Sequence, residues 1–293
     1  MNVCRTLAFA AAATLLGTAA APGAAATLDG TFALPGAVAA TSATLVARPV
    51  QADPLDLRLD IVLRRAAGGS IVRRYDVDMT KLLHLVIVSD DFKTFLHVHP
   101  RLGSDGHFTL AQRFPRPALY HAYADTSPHG LGHQVFRFDL PVGGGRLAEA
   151  RALLPTGPRV RAGPYTVVLD RVRLRAGADN RVVVRVLAGK AAAPDLHPYL
   201  GALAHAVLVS GATLSYVHVH PTALQDDAAA RGGGMADMPG MDMSAMSALA
   251  TGTHVDPNMV LHVGVGRPGP YKLWLQFLGG ERVYVAPFVL VAT

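Results

Sequence analysis

The sequence has almost no cysteine, and that scarcity restricts its chemistry. Its one cysteine, Cys4, precedes an apolar run from about Leu7 to Ala21 and the small residues "GAAAT". This pattern is typical of a secretory signal peptide, so residues 1–26 are predicted to be cleaved from a periplasmic or secreted protein. The remaining chain then has no cysteine, which excludes disulfides, thiolate metal ligands and a cysteine nucleophile. Any metal must be held by His, Met, Asp or Glu.

Other absences restrict the function further. No later apolar run is long enough to span a bilayer, so no membrane span is expected after cleavage. The net charge of +6 is dispersed and no basic run alternates with aromatic residues, which gives nucleic-acid binding no support. There is no Gly-x-Ser-x-Gly, HExxH or phosphate-loop motif. Cleavage would leave Thr27 at the amino terminus. A histidine-brace copper oxygenase needs a histidine there, so that class of enzyme is not expected. We therefore expect a protein that is not an enzyme.

The chain contains an internal duplication. The segment "LLHLVIVSDDFKTFLHVHP" (82–100) aligns without a gap with "LAHAVLVSGATLSYVHVHP" (203–221), at an offset of 121 residues. Further on, "FPRPALYHAYAD" (114–125) aligns with "VGRPGPYKLWLQ" (265–276) at an offset of 151 residues. The second copy therefore carries an insertion of 30 residues after its "HVHP".

Short β-type segments fill both copies. Runs such as "HFTLAQRF", "YTVVLDRVRLR" and "YKLWLQF" are separated every 8–14 residues by Gly, Pro or Asp. This pattern predicts an all-β chain of two tandem antiparallel β-sandwiches, immunoglobulin-like or cupredoxin-like. We expect the first over residues 40–143 and the second over 158–293, with a Met-rich loop at 222–253.

Three histidines recur at matching positions in each copy. A hairpin turning at "SDDFK" would place His84 opposite His99 and Val86 opposite His97, so that all three imidazoles share one face. The same strand pairing is expected for the hairpin of the second copy. The sequence thus predicts two candidate metal-binding triplets, which are His84, His97 and His99 in the first copy and His205, His218 and His220 in the second. The alternative is that these histidines are structural.

The insertion is rich in methionine. Five of the eight methionines lie there, at Met235, Met238, Met241, Met243 and Met246. Thioethers are soft ligands that select Cu(I), and imidazole also suits copper, so copper, as Cu(I), Cu(II) or both, is the expected ion. An accidental low-complexity insertion or a short helix that docks a partner is the alternative. Weaker candidate ligands follow the insertion, namely His254, Asp256, Met259 and His262.

The segments "HLVIVSDDFKTFLHVHP", "DGHFTL" and "FPRPALYHAYAD" resemble the secreted bacterial β-sandwich family with YtkA-like or FixH-like domains. Proteins of that family often accompany metal-handling systems, and the Met-rich insertion resembles the methionine motifs of periplasmic copper-resistance proteins. The resemblance implies a periplasmic copper-binding protein, acting as a chaperone or in sequestration and resistance, with a periplasmic protein partner for metal transfer. The alternative is an extracytoplasmic immunoglobulin-like interaction module with structural histidines and no metal.

Overall fold

The fold is taken from a computed structural model, which describes residues 25–34, 36–51, 53–148, 153–232, 248–250 and 252–293. The predicted signal peptide, apart from its last two residues, lies outside this set, as do all five methionines of the insertion. Within the described ranges, no helix combines the length and apolar character needed to cross a bilayer.

The first domain is a β-sandwich of two antiparallel sheets. One sheet has the order β1-β3-β4-β9-β8 and the other β2-β11-β10-β6-β7, with β5 pairing with β10. Its strands are β1 (Ala26–Asp29), β2 (Thr31–Phe32), β3 (Thr41–Val50), β4 (Asp53–Arg65), β5 (Tyr75–Asp76), β6 (Leu83–Ser89), β7 (Phe95–Val98), β8 (Arg101–Leu102), β9 (His107–Arg113), β10 (Ala118–Pro128) and β11 (Gln134–Val142).

The second domain repeats this architecture, except that its short strand β14 runs parallel to β23. Its sheets have the orders β12-β13-β15-β21-β20 and β14-β23-β22-β18-β19, with β16 on β15 and β17 on β22. Its elements are β12 (Arg159–Ala162), β13 (Tyr165–Leu169), β14 (Arg173–Leu174), β15 (Asp179–Ala188), β16 (Ala191–Ala192), β17 (Leu196–His197), β18 (His205–Ser210), β19 (Tyr216–Val219), β20 (Thr222–Ala223), α1 (Leu224–Gly232), β21 (Asn258–Gly264), β22 (Gly269–Gly279) and β23 (Arg282–Ala292). The prediction of tandem β-sandwiches is confirmed.

Strands β6 and β18 are buried on both faces. The two domains meet through the sheets that contain these strands. In β6, Leu85 and Ile87 point into the core of the first domain, whereas Val86 and Val88 point away from it. Side chains alternate between the faces of a strand, so an unbroken apolar run requires a partner on each face. The partner on the outer face is the equivalent sheet of the second domain.

An apolar cluster joins these two sheets and is here called the interface cluster. Aromatic rings stack across it with an approximate two-fold relation, Phe95 on Trp274 and Tyr216 on Tyr123, with ring centroids 5.0 Å and 4.7 Å apart. Tyr123 also donates a hydrogen bond to the carbonyl of Leu214 at 2.8 Å. The buried residues of the cluster are Val86, Val88, Phe92, Tyr123, Val135, Val207, Val209, Leu214, Tyr216 and Trp274.

Two of the predicted boundaries differ from the structure. Strands β1 and β2 precede residue 40 yet pair with β3 and β11, so the first sandwich takes up chain before its predicted start. The predicted loop 222–253 begins with regular structure, because β20 pairs with β21 and α1 follows it. Asp227 in the first turn of α1 anchors the helix through a 2.8 Å salt bridge to Arg181.

Candidate metal centre

Both histidine triplets lie on hairpins with the predicted register. Val86 pairs with His97 between β6 and β7, and Val207 pairs with His218 between β18 and β19. All six imidazoles lie on the outer faces of these sheets, where the two domains meet. We call His84, His97 and His99 the first triad and His205, His218 and His220 the second triad.

The ring nitrogens converge within each triad. In the first, Nδ1 of His84 lies 3.0 Å from Nε2 of His97 and 3.2 Å from Nε2 of His99. In the second, Nδ1 of His205 lies 3.1 Å from Nε2 of both His218 and His220. Each triad therefore presents the same three nitrogens, one Nδ1 and two Nε2, around one point.

A backbone carbonyl fixes the tautomer of the central histidine in each triad. Nε2 of His84 donates to the carbonyl of Asp78 at 3.3 Å, and Nε2 of His205 donates to the carbonyl of Tyr199 at 3.0 Å. A carbonyl oxygen only accepts, so these Nε2 atoms carry the hydrogen and Nδ1 of each neutral ring is left as a lone pair. Both carbonyls belong to tight turns, closed by the bridges Asp78–Lys81 and Tyr199–Ala202.

Each domain supplies an orienting side chain to the triad of the other. Nδ1 of His97 lies 2.8 Å from Oε1 of Gln276 in the second domain. Nδ1 of His218 lies 3.2 Å from Oδ2 of Asp125 in the first domain. Asp125 and Gln276 are equivalent in the duplication, at the ends of the aligned segments 114–125 and 265–276. Such outer partners fix ring orientation in metal sites.

The Asp125 carboxylate is buried and fully engaged. It accepts hydrogen bonds from Nδ1 of His218, from the hydroxyl of Tyr216 at 3.1 Å and from Nε2 of His133 at 2.5 Å. Burial opposes its ionisation, but the hydrogen bonds from His133 and His218 outweigh that effect and hold the pKa of Asp125 well below its usual range.

Burial also favours the neutral form of five of the triad imidazoles, those of His84, His97, His99, His205 and His220. It is the main cause that lowers the pKa of His84 to about 4 and the pKa values of His99 and His220 to about 3, and neighbouring imidazoles add to the effect. The pKa values of His97 and His205 lie well below the ordinary value for the same reasons. The neutral ring is the form that binds a metal ion.

The two triads lie close together across the interface. His84, His97, His205 and His218 each offer a nitrogen, and these four nitrogens lie within 4.8 Å of one another. The ring centroids of His84 and His218 are 5.2 Å apart, and those of His97 and His205 are 5.3 Å apart. The sequence predicted two separate triplets, whereas the structure brings them together into one group of six histidines.

A cavity of about 150 Å³ reaches the second triad at His220. Met79, Leu203 and Leu249 supply apolar wall, and Asp226 of α1 also lines the cavity. Leu249 donates a backbone hydrogen bond to the carbonyl of Gly201 at 2.7 Å. Both flanks of the Met-rich segment, α1 before it and Leu249 after it, are therefore attached at this cavity.

Two of the weaker candidate ligands lie elsewhere. Met259 is fully buried in the core of the second domain. His262 donates to Asp179 at 2.7 Å and Asp227 at 2.8 Å, and these hydrogen bonds outweigh burial and raise its pKa, which favours the protonated form. Core packing therefore engages Met259, and two carboxylates engage His262, so neither side chain is among the converging triad nitrogens. The predicted ligands Met235, Met238, Met241, Met243 and Met246 fall outside the described residues.

Sequence reasoning missed the residues that support the triads. Asp125 and Gln276 each lie three residues before the end of a mostly buried strand, and a polar residue at that matching position in both copies was the available signal. The carbonyls of Asp78 and Tyr199 left no signal, because a backbone group is the same in every residue.

A comparison with sequence families finds the domain of unknown function DUF8832, matched over residues 39–143 and again over 159–293. The chain belongs to the DUF8832 family. The resemblance to YtkA-like and FixH-like domains stays a prediction. Comparison with curated proteins finds no match. Among solved structures, Polysaccharide Lyase BACCELL_00875 aligns with 91% of this DUF8832 chain at 8% identity and a TM-score of 0.21. This chain spans 39% of the length of that lyase.

Proposed function

We propose that this protein is a periplasmic copper-binding protein whose two triads form a two-ion centre between the domains. The observation that carries the proposal is the second triad. Nδ1 of His205 lies 3.1 Å from Nε2 of both His218 and His220, and the far nitrogens of His205 and His218 are held by a carbonyl and by the Asp125 carboxylate. Buried imidazole nitrogens that converge in this way, with two of the rings held from behind, form a ligand set that suits a transition metal.

The distances support one ion in each triad. A metal bound at about 2.0–2.1 Å by imidazole in tetrahedral geometry separates its ligand nitrogens by ~3.3 Å, and octahedral neighbours by ~2.9 Å. The distances from the central Nδ1 to the other two nitrogens of each triad, at 3.0–3.2 Å, fall between these values. Small movements of the rings would therefore seat an ion. Three protein ligands leave a further position for exchange with a donor or acceptor.

Copper is proposed from the ligands and from the insertion. Imidazole alone suits several transition metals, copper among them, and thioether narrows the choice towards Cu(I). The five methionines of residues 235–246 lie between two flanks that meet the cavity at His220. We propose that these methionines capture Cu(I) and pass it through that cavity to the second triad, which makes the protein a chaperone or a sequestering protein rather than an enzyme.

The test is an anaerobic Cu(I) titration of the purified protein against a chromogenic chelator. We expect the triads to bind two equivalents of Cu(I). A variant with all five methionines replaced by leucine counts these two equivalents alone, because it lacks any Cu(I) bound by the methionines. Replacing His84 and His205 together by alanine should remove both triad equivalents. His129 is half exposed and pairs with Asp76 rather than with a triad histidine, so His129→Ala serves as the matched control and should retain both. Two equivalents that persist without His84 and His205, or none in the leucine variant, would overturn the proposal.

A further inference from the structure

We infer that the two triads are unequal, and that the second triad binds its metal ion more tightly and is filled first because Asp125 supports it. The inference rests on the proposed metal function, to which it adds the order in which the triads fill and the residue that causes this order. It starts from one difference between the domains: a carboxylate faces His218, whereas the neutral amide of Gln276 faces the equivalent nitrogen of His97.

The carboxylate affects the metal through the ring. An anion that accepts the Nδ1–H of His218 makes the opposite nitrogen, Nε2, a stronger donor, and it offsets part of the charge that a cation brings into a buried site. Asp125 lies 3.2 Å from His218 and is 3% exposed, so solvent screens its charge little. The Gln276 amide orients His97 but carries no charge. Asp125 therefore positions His218 and also supplies a negative charge, whereas Gln276, its counterpart at the first triad, is neutral.

Measuring this difference requires each triad alone. Two cations a few ångström apart repel, so stepwise affinities of the intact protein would differ even for identical triads. Two variants isolate the triads, since His99→Gln disables the first and His220→Gln disables the second. Both are made with the five insertion methionines replaced by leucine, so that thioethers do not compete. Anaerobic Cu(I) competition should then give a Kd about 10–100-fold lower for the protein that keeps the second triad.

A charge exchange tests whether Asp125 is the cause. Asp125→Asn keeps the shape of the side chain and removes its charge, and Gln276→Glu adds a charge at the equivalent place. We expect Asp125→Asn to weaken the isolated second triad about 10–100-fold, and Gln276→Glu to strengthen the isolated first triad. Thermal melts of the metal-free variants show whether each is folded, and the two changes act in opposite directions, so general damage cannot produce both.

The outcomes separate this inference from the proposed function. If the isolated triads bind Cu(I) with equal affinity, or the first binds more tightly, the inference is wrong and the copper function stands. If the difference is present but neither Asp125→Asn nor Gln276→Glu changes it, the assignment to Asp125 is wrong. If neither isolated triad binds Cu(I) and the intact protein does not either, the proposed function itself fails.

Discussion

His218 of the second domain and Asp125 of the first are joined by a 3.2 Å hydrogen bond in which the histidine donates to the carboxylate. The equivalent pair, His97 and Gln276, makes the reciprocal contact at 2.8 Å. Each triad thus receives its orienting side chain from the opposite domain. Metal binding should therefore depend on how the two sandwiches dock, although each set of three ligands belongs to a single hairpin.

The docking surface gives the first prediction. Trp274 is 3% exposed and stacks on Phe95 between the domains. Trp274→Ala should lower the free energy of unfolding by about 3–5 kcal/mol, because it empties a large volume from the interface cluster. It should also weaken Cu(I) binding, since Gln276 lies two residues along the same strand. Chemical denaturation and Cu(I) competition measure the two effects.

Strand β23, which pairs with the strand that carries Trp274, offers a control for the Trp274→Ala variant. Val283 lies on β23 and is 43% exposed, so Val283→Ala should change stability by less than about 0.5 kcal/mol and leave Cu(I) affinity unaltered. A Trp274→Ala protein that loses stability but binds Cu(I) as tightly as before would mean that docking does not support the triads.

The central histidines give the second prediction. His84 and His205 each lie within 3.2 Å of both other nitrogens of their triad. Since each is the shared neighbour, either single replacement by alanine should remove one equivalent of triad-bound metal and leave the other. Metal analysis after gel filtration, in the background without the insertion methionines, counts the equivalents. Loss of both equivalents from a single replacement would contradict two triads that each hold their own ion.

The third prediction concerns pH in the metal-free protein. The folded pKa values of His84, His99 and His220, at about 3–4, lie below the ordinary value of 6.5, so below pH 6.5 the unfolded chain binds more protons than the folded protein. Stability is therefore complete above about pH 6.5 and is lost as the pH falls towards 4. Thermal melts between pH 8 and 4 should show this fall.

Two variants check that the triads cause the pH effect. His99→Gln removes one of the groups that takes up a proton on unfolding, so its melting temperature should fall less steeply with pH. His129→Gln changes a half-exposed histidine and should follow the parent protein. A melting temperature that does not change between pH 7 and 4.5 would contradict neutral, buried triads.

The insertion gives the fourth prediction. Replacing the five methionines of residues 235–246 by leucine should slow the transfer of Cu(I) from a weak chelate to the triads, because soft ligands no longer collect it near the cavity. The equilibrium affinity of the triads should remain the same. Stopped-flow measurement of chelate loss follows the transfer, and Met259→Leu in the second core is the matched control. Equal transfer rates in the parent protein, the five-leucine variant and Met259→Leu would show that the insertion plays no part in Cu(I) transfer.

The sequence was sufficient to predict the sandwiches and the hairpins because both follow from local periodicity. The duplication, with its ungapped offset from His84 to His205, placed three imidazoles on one face of each hairpin, and the strand register agrees. The meeting of the triads could not be derived in this way, because strand alternation says which face is apolar but not which distant surface covers it. The unbroken apolar run of β6 was the one local sign that a second surface was needed.

The supporting groups and the insertion were also beyond local reasoning. Asp125 lies opposite His84 on the neighbouring strand of its own sheet, yet it binds His218 of the other domain. Nothing in the spacing of residues along one chain distinguishes those two partners. Likewise, the composition of residues 222–253 indicated a loop throughout, whereas pairing of β20 with β21 and the Asp227–Arg181 salt bridge order its first part.

The most direct test of the central claim is anomalous diffraction at the copper edge from crystals of the copper-loaded protein. We expect two copper peaks between the domains, one within bonding distance of His84, His97 and His99 and the other within bonding distance of His205, His218 and His220. A single peak shared by His84, His97, His205 and His218, or no peak at the histidines, would contradict it.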